Sequence, residues 1–251
     1  MTTSRTRLLR VFLPFAIGYF FSYLYRVVNA VIAPNLVADL DLSPGDLGLL
    51  TSTYFLTFAA FQLPLGVLLD RFGSRKTEAF LLVFAAAGAF IFAKADSVPG
   101  LIAGRALIGF GVSSCLMAAF TAFVLWFPKE RLPLINGVQV AVGGLGALTG
   151  TTPVETALQF TDWRSVFTLL AILTLGAAAA IFFAVPERKA EGGGTSLKEQ
   201  LRGIVVVYTS PLFWRIAPWA VTSQATFLAV QTLWAGPWLR DVAKYERADV
   251  A

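Results

Sequence analysis

Long apolar runs alternate with short polar breaks along this chain, and each run has the length of a membrane span, about 20 residues. The first covers residues 11–33, behind Arg5, Arg7 and Arg10. It is too long for a signal-peptide core of about 7–15 residues, although Val28-Asn29-Ala30 faintly mimics a cleavage site. Further runs cover residues 47–69, 78–95, 101–127 and 134–158; a sixth ends near Val185 and a seventh covers 212–238. The pattern predicts an all-α membrane protein with seven spanning helices.

The breaks carry helix punctuation. Pro34 is expected to close the first helix, with Asp39, Asp41 and Asp46 in an acidic loop. Ser43-Pro44 opens the second helix and puts Asp46 in its first turn. Asp162-Trp163-Arg164 marks a turn, with Trp163 expected at a membrane–water interface. The fifth run is rich in glycine: Gly137, Gly143, Gly144, Gly146 and Gly150. Small residues at four-residue spacing let helix backbones approach closely, so this helix is expected to pack tightly. Beyond residue 186 the chain turns polar, with Arg188, Lys189 and a Gly192-Gly193-Gly194 linker. Ser196 and Glu199 have capping-box spacing. Leu197, Leu201, Ile204 and Val205 recur at helical spacing, which fits a short helix on the membrane face or a solvated linker.

Charge fixes an expected orientation. Arg5, Arg7, Arg10, Arg71, Arg75, Lys76, Lys129, Arg131, Arg188, Lys189, Lys198, Arg202 and Arg215 fall in or beside alternate breaks, opposite Lys94, Arg164, Arg240, Lys244 and Arg247. Basic residues collect on the cytoplasmic side, so the N-terminus and the Gly192 linker are expected there, in a bacterial inner or plasma membrane. The 251 residues are 57% hydrophobic and 14% charged, against about 25% charged in soluble proteins. The net charge of +5 sits mainly in the breaks and reads as topology, not as a nucleic-acid footprint. There is no His, and Cys115 is the one cysteine. That removes an internal disulfide and the usual material for metal, haem or His-based catalytic sites, so no enzyme, metal or cofactor is expected.

One break is unlike the rest. Gly66, Asp70, Arg71, Gly73, Arg75 and Lys76 fall within eleven positions between two apolar runs. Gly73 permits a positive-φ corner, and Asp70 can pair with Arg71 or Arg75 or cap a neighbouring helix. The order G-x-x-x-D-R-x-G-x-R-K resembles the signature between the second and third helices of the major facilitator superfamily of transporters. Three further stretches are similar to motifs of that family: Arg105 with Gly109 and Gly111, Phe127 to Arg131 with Asn136-Gly137, and Trp163-Arg164 with Phe167. The resemblance implies two six-helix halves, each of two inverted three-helix repeats, around a cavity open alternately to either side. It divides the chain into a six-helix bundle (1–186), a cytoplasmic linker (187–211) and the first helix of an incomplete second half (212–251). On this reading the chain is a truncated or fragmentary transporter whose partner is the missing second half, and Asp70 and Gly73 belong to an inner gate.

Buried cations mark the expected binding site. A basic residue in a spanning helix is a functional candidate by default. At about 1.5 Å per residue, Arg26 lies roughly 6 Å, and Arg105 roughly 12 Å, outward of the middles of their runs. Tyr19, Ser22, Tyr23, Arg26 and Asn29 recur at three- and four-residue steps, giving the first helix one polar face. No carboxylate lies in the first or fourth run, and Glu155 is read as the intramembrane acid. Two unbalanced arginines favour an anionic substrate. Tyr23-Leu24-Tyr25-Arg26, followed by Asn29-Ala30 and Pro34, is similar to the first helix of organophosphate:phosphate exchangers. It also resembles that of organic-anion:cation symporters, in which an Asp usually precedes the arginine; here Tyr25 stands there, which leans away from proton-coupled symport. The exchangers carry a second arginine within the seventh helix, where this chain has Gln224 and Gln231 and only Arg215 at the end.

The expected site is therefore Arg26, Arg105, Tyr23, Asn29, Gln224 and Gln231. The bland readings are a packing role for Arg26, snorkelling of Arg105 to the nearby face, and interhelical hydrogen bonding by the glutamines. The expected function is alternating-access transport of a small organic anion; the alternative is a membrane-embedded anion sensor of the same fold.

Overall fold

Gly73 is the corner on which the first half of the molecule turns. In the computed structural model, which describes residues 4–186, 188, 197–230 and 234–244, it has φ 80° and ψ 165°. That region of backbone space is essentially restricted to glycine. The chain enters it down one arm of α3 (Pro44–Lys94) and leaves along the other. Thr77 donates across the corner from Oγ1 to the Leu68 carbonyl at 3.1 Å. One 51-residue element thus holds the second and third expected spans.

Two units divide the chain, Met1–Ala190 and Glu191–Ala251. In the first, α1 (Ser4–Arg7) and a π-helical turn (Leu8–Phe12) lead into α2 (Leu13–Leu40). After α3 come α4 (Val98–Val112), α5 (Cys115–Trp126), α6 (Leu132–Thr149), α7 (Thr152–Ala157) and α8 (Trp163–Ala184). Five stretches are long and apolar enough to cross a membrane: Leu8–Leu40, Pro44–Lys94, Val98–Trp126, Lys129–Ala157 and Trp163–Ala184. Counting α3 as two arms, they cover the six runs expected before the linker.

The second unit contains α9 (Leu197–Thr209), α10 (Pro211–Ala229) and α11 (Ala235–Asp241). The expected seventh span is helical over α10, but α10 is not among the five stretches apolar enough to cross; Arg215, Pro218, Thr222, Ser223 and Gln224 dilute it. Gln231, the Gly192 linker and Ser196 lie outside the described residues.

Several boundaries differ from expectation for local reasons. Pro34 does not close the first helix: α2 runs through it to Leu40 and ends at Asp41, which has φ 52°. Proline removes one hydrogen bond, to the carbonyl four residues back; that residue, Ala30, is exposed. Trp163 is not at an interface but 1% exposed, and its Nε1 donates to Asp39 Oδ2 at 2.7 Å. Asp39 therefore belongs to the last turn of α2 instead of a free loop. The fourth span breaks at Ser113-Ser114 between α4 and α5, where Ser113 Oγ bonds the Phe110 carbonyl at 2.7 Å. The fifth breaks between α6 and α7, ahead of Pro153.

Glycine sets the closest approaches in the bundle. A methyl group on Gly146 would strike the Phe20 carbonyl, and one on Gly143 the Tyr19 ring. At Gly150 it would stand 3.2 Å from the Leu24 carbonyl. These residues form the face of α6 that lies on α2, as the four-residue spacing anticipates. Gly137 and Gly144 face open space instead. At the far end, Arg164 binds the Asp96 carboxylate at 2.9 Å and donates to the carbonyls of Ala93 and Ala95 at 3.1 and 2.7 Å. This pins the turn between α3 and α4 to the start of α8.

Candidate functional site

Arg26 lies midway along α2 and is half-buried. Its guanidinium carbon is 4.5 Å from the Tyr23 ring centre, 5.3 Å from Phe58 and 5.9 Å from Phe55. Tyr23 comes from the preceding turn of α2, and both phenylalanines from the facing arm of α3. Aromatic faces stabilise a cation without neutralising it, by about 2 kcal/mol or more when desolvated. Arg26 Nε is buried and has no hydrogen-bond partner among the described residues, and no carboxylate pairs with the side chain there. The Tyr54 hydroxyl, which faces this guanidinium, donates to the Ser22 carbonyl at 3.2 Å.

Arg105 has a different setting. It is 0% exposed, so the snorkelling expectation is overturned. It donates to the Tyr25 carbonyl at 3.0 Å and lies 4.5 Å from the Tyr54 ring centre. α4 thereby grips the backbone of α2 one residue before Arg26. Tyr25 itself, buried, bonds Thr174 of α8 at 2.9 Å. Asn29, one turn beyond Arg26, is buried and donates to Thr51 Oγ1 at 3.3 Å. Tyr54 touches both arginines and was not anticipated. A tyrosine in an apolar run is ordinary core material, and no periodicity shows which neighbour its ring meets.

The remaining expected residues lie elsewhere. Gln224 is exposed on α10, in the second unit. In the signature stretch, Gly66, Asp70, Arg71 and Lys76 are exposed. Arg75 donates to the Val185 carbonyl at 3.2 Å and lies 5.5 Å from the Phe182 ring centre. That ties the Gly73 corner to the end of α8.

Glu155 is half-exposed on α7. Among the described residues the buried acid is Glu78, 0% exposed, on the second arm of α3. Sequence reading placed it at the edge of its run, two residues past Lys76, and so took Glu155 as the intramembrane acid. The tight Gly73 corner is what carries Glu78 inward so soon after the basic residues.

Apolar helices of spanning length packed around a half-buried, aromatic-lined arginine define an α-helical integral membrane protein. The chain belongs to the Major Facilitator Superfamily, whose sequence pattern it matches over residues 15–246. It is 28% identical over 158 residues to a probable sulfoacetate transporter, SauU, of Cupriavidus necator, covering 63% of this chain and 37% of that protein. It is 25% identical over 207 residues to a nitrite extrusion protein of Bacillus subtilis, covering 82% of this chain and 51% of that protein. The chain thus spans about half or less of these relatives' lengths. Its fold is shared with a bacterial homologue of the human lysosomal transporter Spinster, solved in an inward-facing, occupied conformation. The TM-score is 0.73 at 18% identity, over 100% of this chain and 57% of that one.

Proposed function

We propose that this chain forms the first part of a secondary transporter that carries a small organic anion by alternating access, with Arg26 as the anion's counter-charge. The observation that carries the reading is the Arg26 guanidinium itself: mid-span, bedded on three aromatic rings and facing no carboxylate. Buried charges are normally paired, and an incoming carboxylate or sulfonate would complete this one. Tyr23 and Asn29 flank the anion on the same face of α2, and Arg105 holds that stretch of helix in place through the Tyr25 carbonyl. Two relatives are named for moving sulfoacetate and nitrite, both anions. No observation favours a sensor that binds without transporting.

In this proposal the membrane is a bacterial inner or plasma membrane, the N-terminus is cytoplasmic, and a second helical bundle completes the cavity. The Asp70–Lys76 stretch would gate the cytoplasmic end, with Arg75 holding α8.

The test is a binding panel on the purified chain in lipid nanodiscs: sulfoacetate, nitrite, a neutral amide analogue and a quaternary amine. Binding of the anions, with at least tenfold discrimination against the other two, supports the reading. Equal or preferred binding of the neutral or cationic analogues overturns it.

A further inference from the structure

The first unit contains a second charged-type residue that the anion site does not use. Glu78 is wholly enclosed, and neither of its carboxyl oxygens has a hydrogen-bond partner of ordinary geometry among the described residues. Space for it is made by a missing side chain. Gly18 of α2 lies against the carboxyl so closely that a methyl group there would collide with Oε1, and would stand 3.5 Å from Ile181 Cδ1 of α8. Among the described residues the polar group facing it is the Cys115 thiol at the start of α5, a weak donor. Just before it, Ser114 Oγ is buried and also without a partner. The carboxyl therefore sits where α2, α3, α5 and α8 meet, beside the helix break at Ser113-Ser114.

Among the described residues no cation bonds to it. Along α2 and the turn before it, the charged groups flanking Gly18 are the exposed Arg10, eight residues back, and Arg26, eight residues on. At about 1.5 Å per residue that is roughly 12 Å along the axis. α8 offers only Arg164, at its other end; α4 offers Arg105, committed to Tyr25; α5 and α6 have no charged residue. On α3 itself, Arg75 and Lys76 lie three and two residues before Glu78 on the same arm, Arg75 donating to the Val185 carbonyl and Lys76 exposed; Asp70 and Arg71 lie across the Gly73 corner and Lys94 at the far terminus. The uncharged titratable groups nearby are Cys115, Tyr19 and Tyr23. A carboxylate ion enclosed there without a hydrogen-bonded counter-charge would be costly.

A line of polar side chains leads from there to the anion site. Arg26 stacks on Tyr23 at 4.5 Å. Tyr23 meets Tyr19 with ring centres 5.1 Å apart. Tyr19 is within electrostatic reach of Cys115, which faces Glu78.

We propose that, although Tyr25 and not an acid precedes Arg26, Glu78 on α3 is a proton-binding site linked to the Arg26 anion site, so that proton and anion occupy the protein together. The proton adds from water to one carboxylate oxygen, giving the neutral acid and leaving Arg26 as the unopposed cation facing the substrate. When the proton returns to water, the carboxylate formed competes with the substrate anion for that field. Two unit charges roughly 12 Å apart, at an effective dielectric near 20, change affinity about tenfold. Linkage is reciprocal: the anion raises proton affinity by the same factor. The coupling rests on the Arg26 reading above; the enclosed acid does not.

Two measurements on the 251-residue chain in nanodiscs test it separately. Infrared difference spectra of wild type against Glu78→Gln should show the carbonyl stretch of a protonated carboxyl at neutral pH; absence of that band overturns the proposal. Sulfoacetate affinity should then fall about tenfold as pH rises through loss of that band. It should be pH-independent in Glu78→Gln and regain its pH dependence in Glu78→Asp. A pH dependence unchanged in Glu78→Gln overturns the coupling while leaving Arg26 as the anion site. If sulfoacetate does not bind at all, the Arg26 reading fails on its own, and the band decides the rest. Persistence of the band to higher pH in Arg26→Ala supports the link, and an unmoved band refutes it. Circular dichroism and monodispersity confirm that each variant is folded.

Discussion

Replacing Gly73 with alanine separates backbone conformation from crowding as the cause of the corner. The structure gives the two contributions cleanly, because a methyl group built at Gly73 meets nothing within 4 Å. The whole cost is therefore the φ 80°, ψ 165° backbone, about 1–3 kcal/mol for a non-glycine residue. Alanine also restricts the unfolded chain, which returns about 0.4–1 kcal/mol, so the net loss should be about 1–2 kcal/mol. Gly66, seven residues earlier in the same helix, is the control. It too has open space but ordinary helical geometry, so Gly66→Ala should stabilise by about 0.5–1 kcal/mol. The assay is reversible unfolding in mixed micelles at rising SDS fraction, followed by tryptophan fluorescence. Gly73→Leu should match Gly73→Ala within about 0.5 kcal/mol, since the β-carbon has open space around it and surface substitutions are otherwise small. Equal effects at Gly66 and Gly73, or a leucine cost several-fold above the alanine cost, would refute the backbone explanation.

Other consequences follow from particular contacts. Gly146→Val should push α6 off the Phe20 carbonyl of α2 and lower the SDS midpoint more than Gly144→Val, which faces open space; equal midpoints would contradict the packing. Arg105→Ala removes the charged hydrogen bond to the buried Tyr25 carbonyl, so it should destabilise by about 1.5–3 kcal/mol, measured by the same unfolding. Asp162 caps α8 through the Ser165 backbone N–H at 2.6 Å, and that N–H, with help from the Ser165 side chain, holds its carboxyl below the usual carboxylate range. The capping contribution is therefore present above the ordinary Asp pKa and lost as pH falls through the depressed one; Asp162→Asn should flatten that acid-side loss in a pH-stability profile. For orientation, a single cysteine at position 193 in a Cys115→Ala background should be labelled only from the cytoplasmic side.

The spans were readable because each apolar run matches a bilayer's thickness and the basic residues fall in alternate breaks. The Gly73 corner was readable too, since few residues but glycine serve there. What the pattern concealed is which face of each helix meets a neighbour. Trp163 looks like an interfacial residue until Asp39 is found one turn past Pro34. Arg105 looks able to reach water, yet its partner is a backbone carbonyl on another helix, which leaves no mark in sequence. Glu78 stands beside two basic residues and reads as loop; only the corner and the absent side chain at Gly18 bring it inside. The break at Ser113-Ser114 is equally silent, because serine hydroxyls can bond their own helix without ending it.

Arg26 carries the central claim, and its side-chain chemistry allows a direct measurement. A guanidinium grips a carboxylate or sulfonate through two parallel hydrogen bonds, whereas an ammonium acts as a point charge. Calorimetric titration of sulfoacetate into wild type, Arg26→Lys and Arg26→Ala, each verified as folded, should give graded losses. Removing one partner of a desolvated charge pair costs about 3–5 kcal/mol, or roughly two to three and a half decades in affinity for Arg26→Ala, with Arg26→Lys in between. Unchanged sulfoacetate affinity in folded Arg26→Ala would make Arg26 a packing residue and contradict the anion-transporter account.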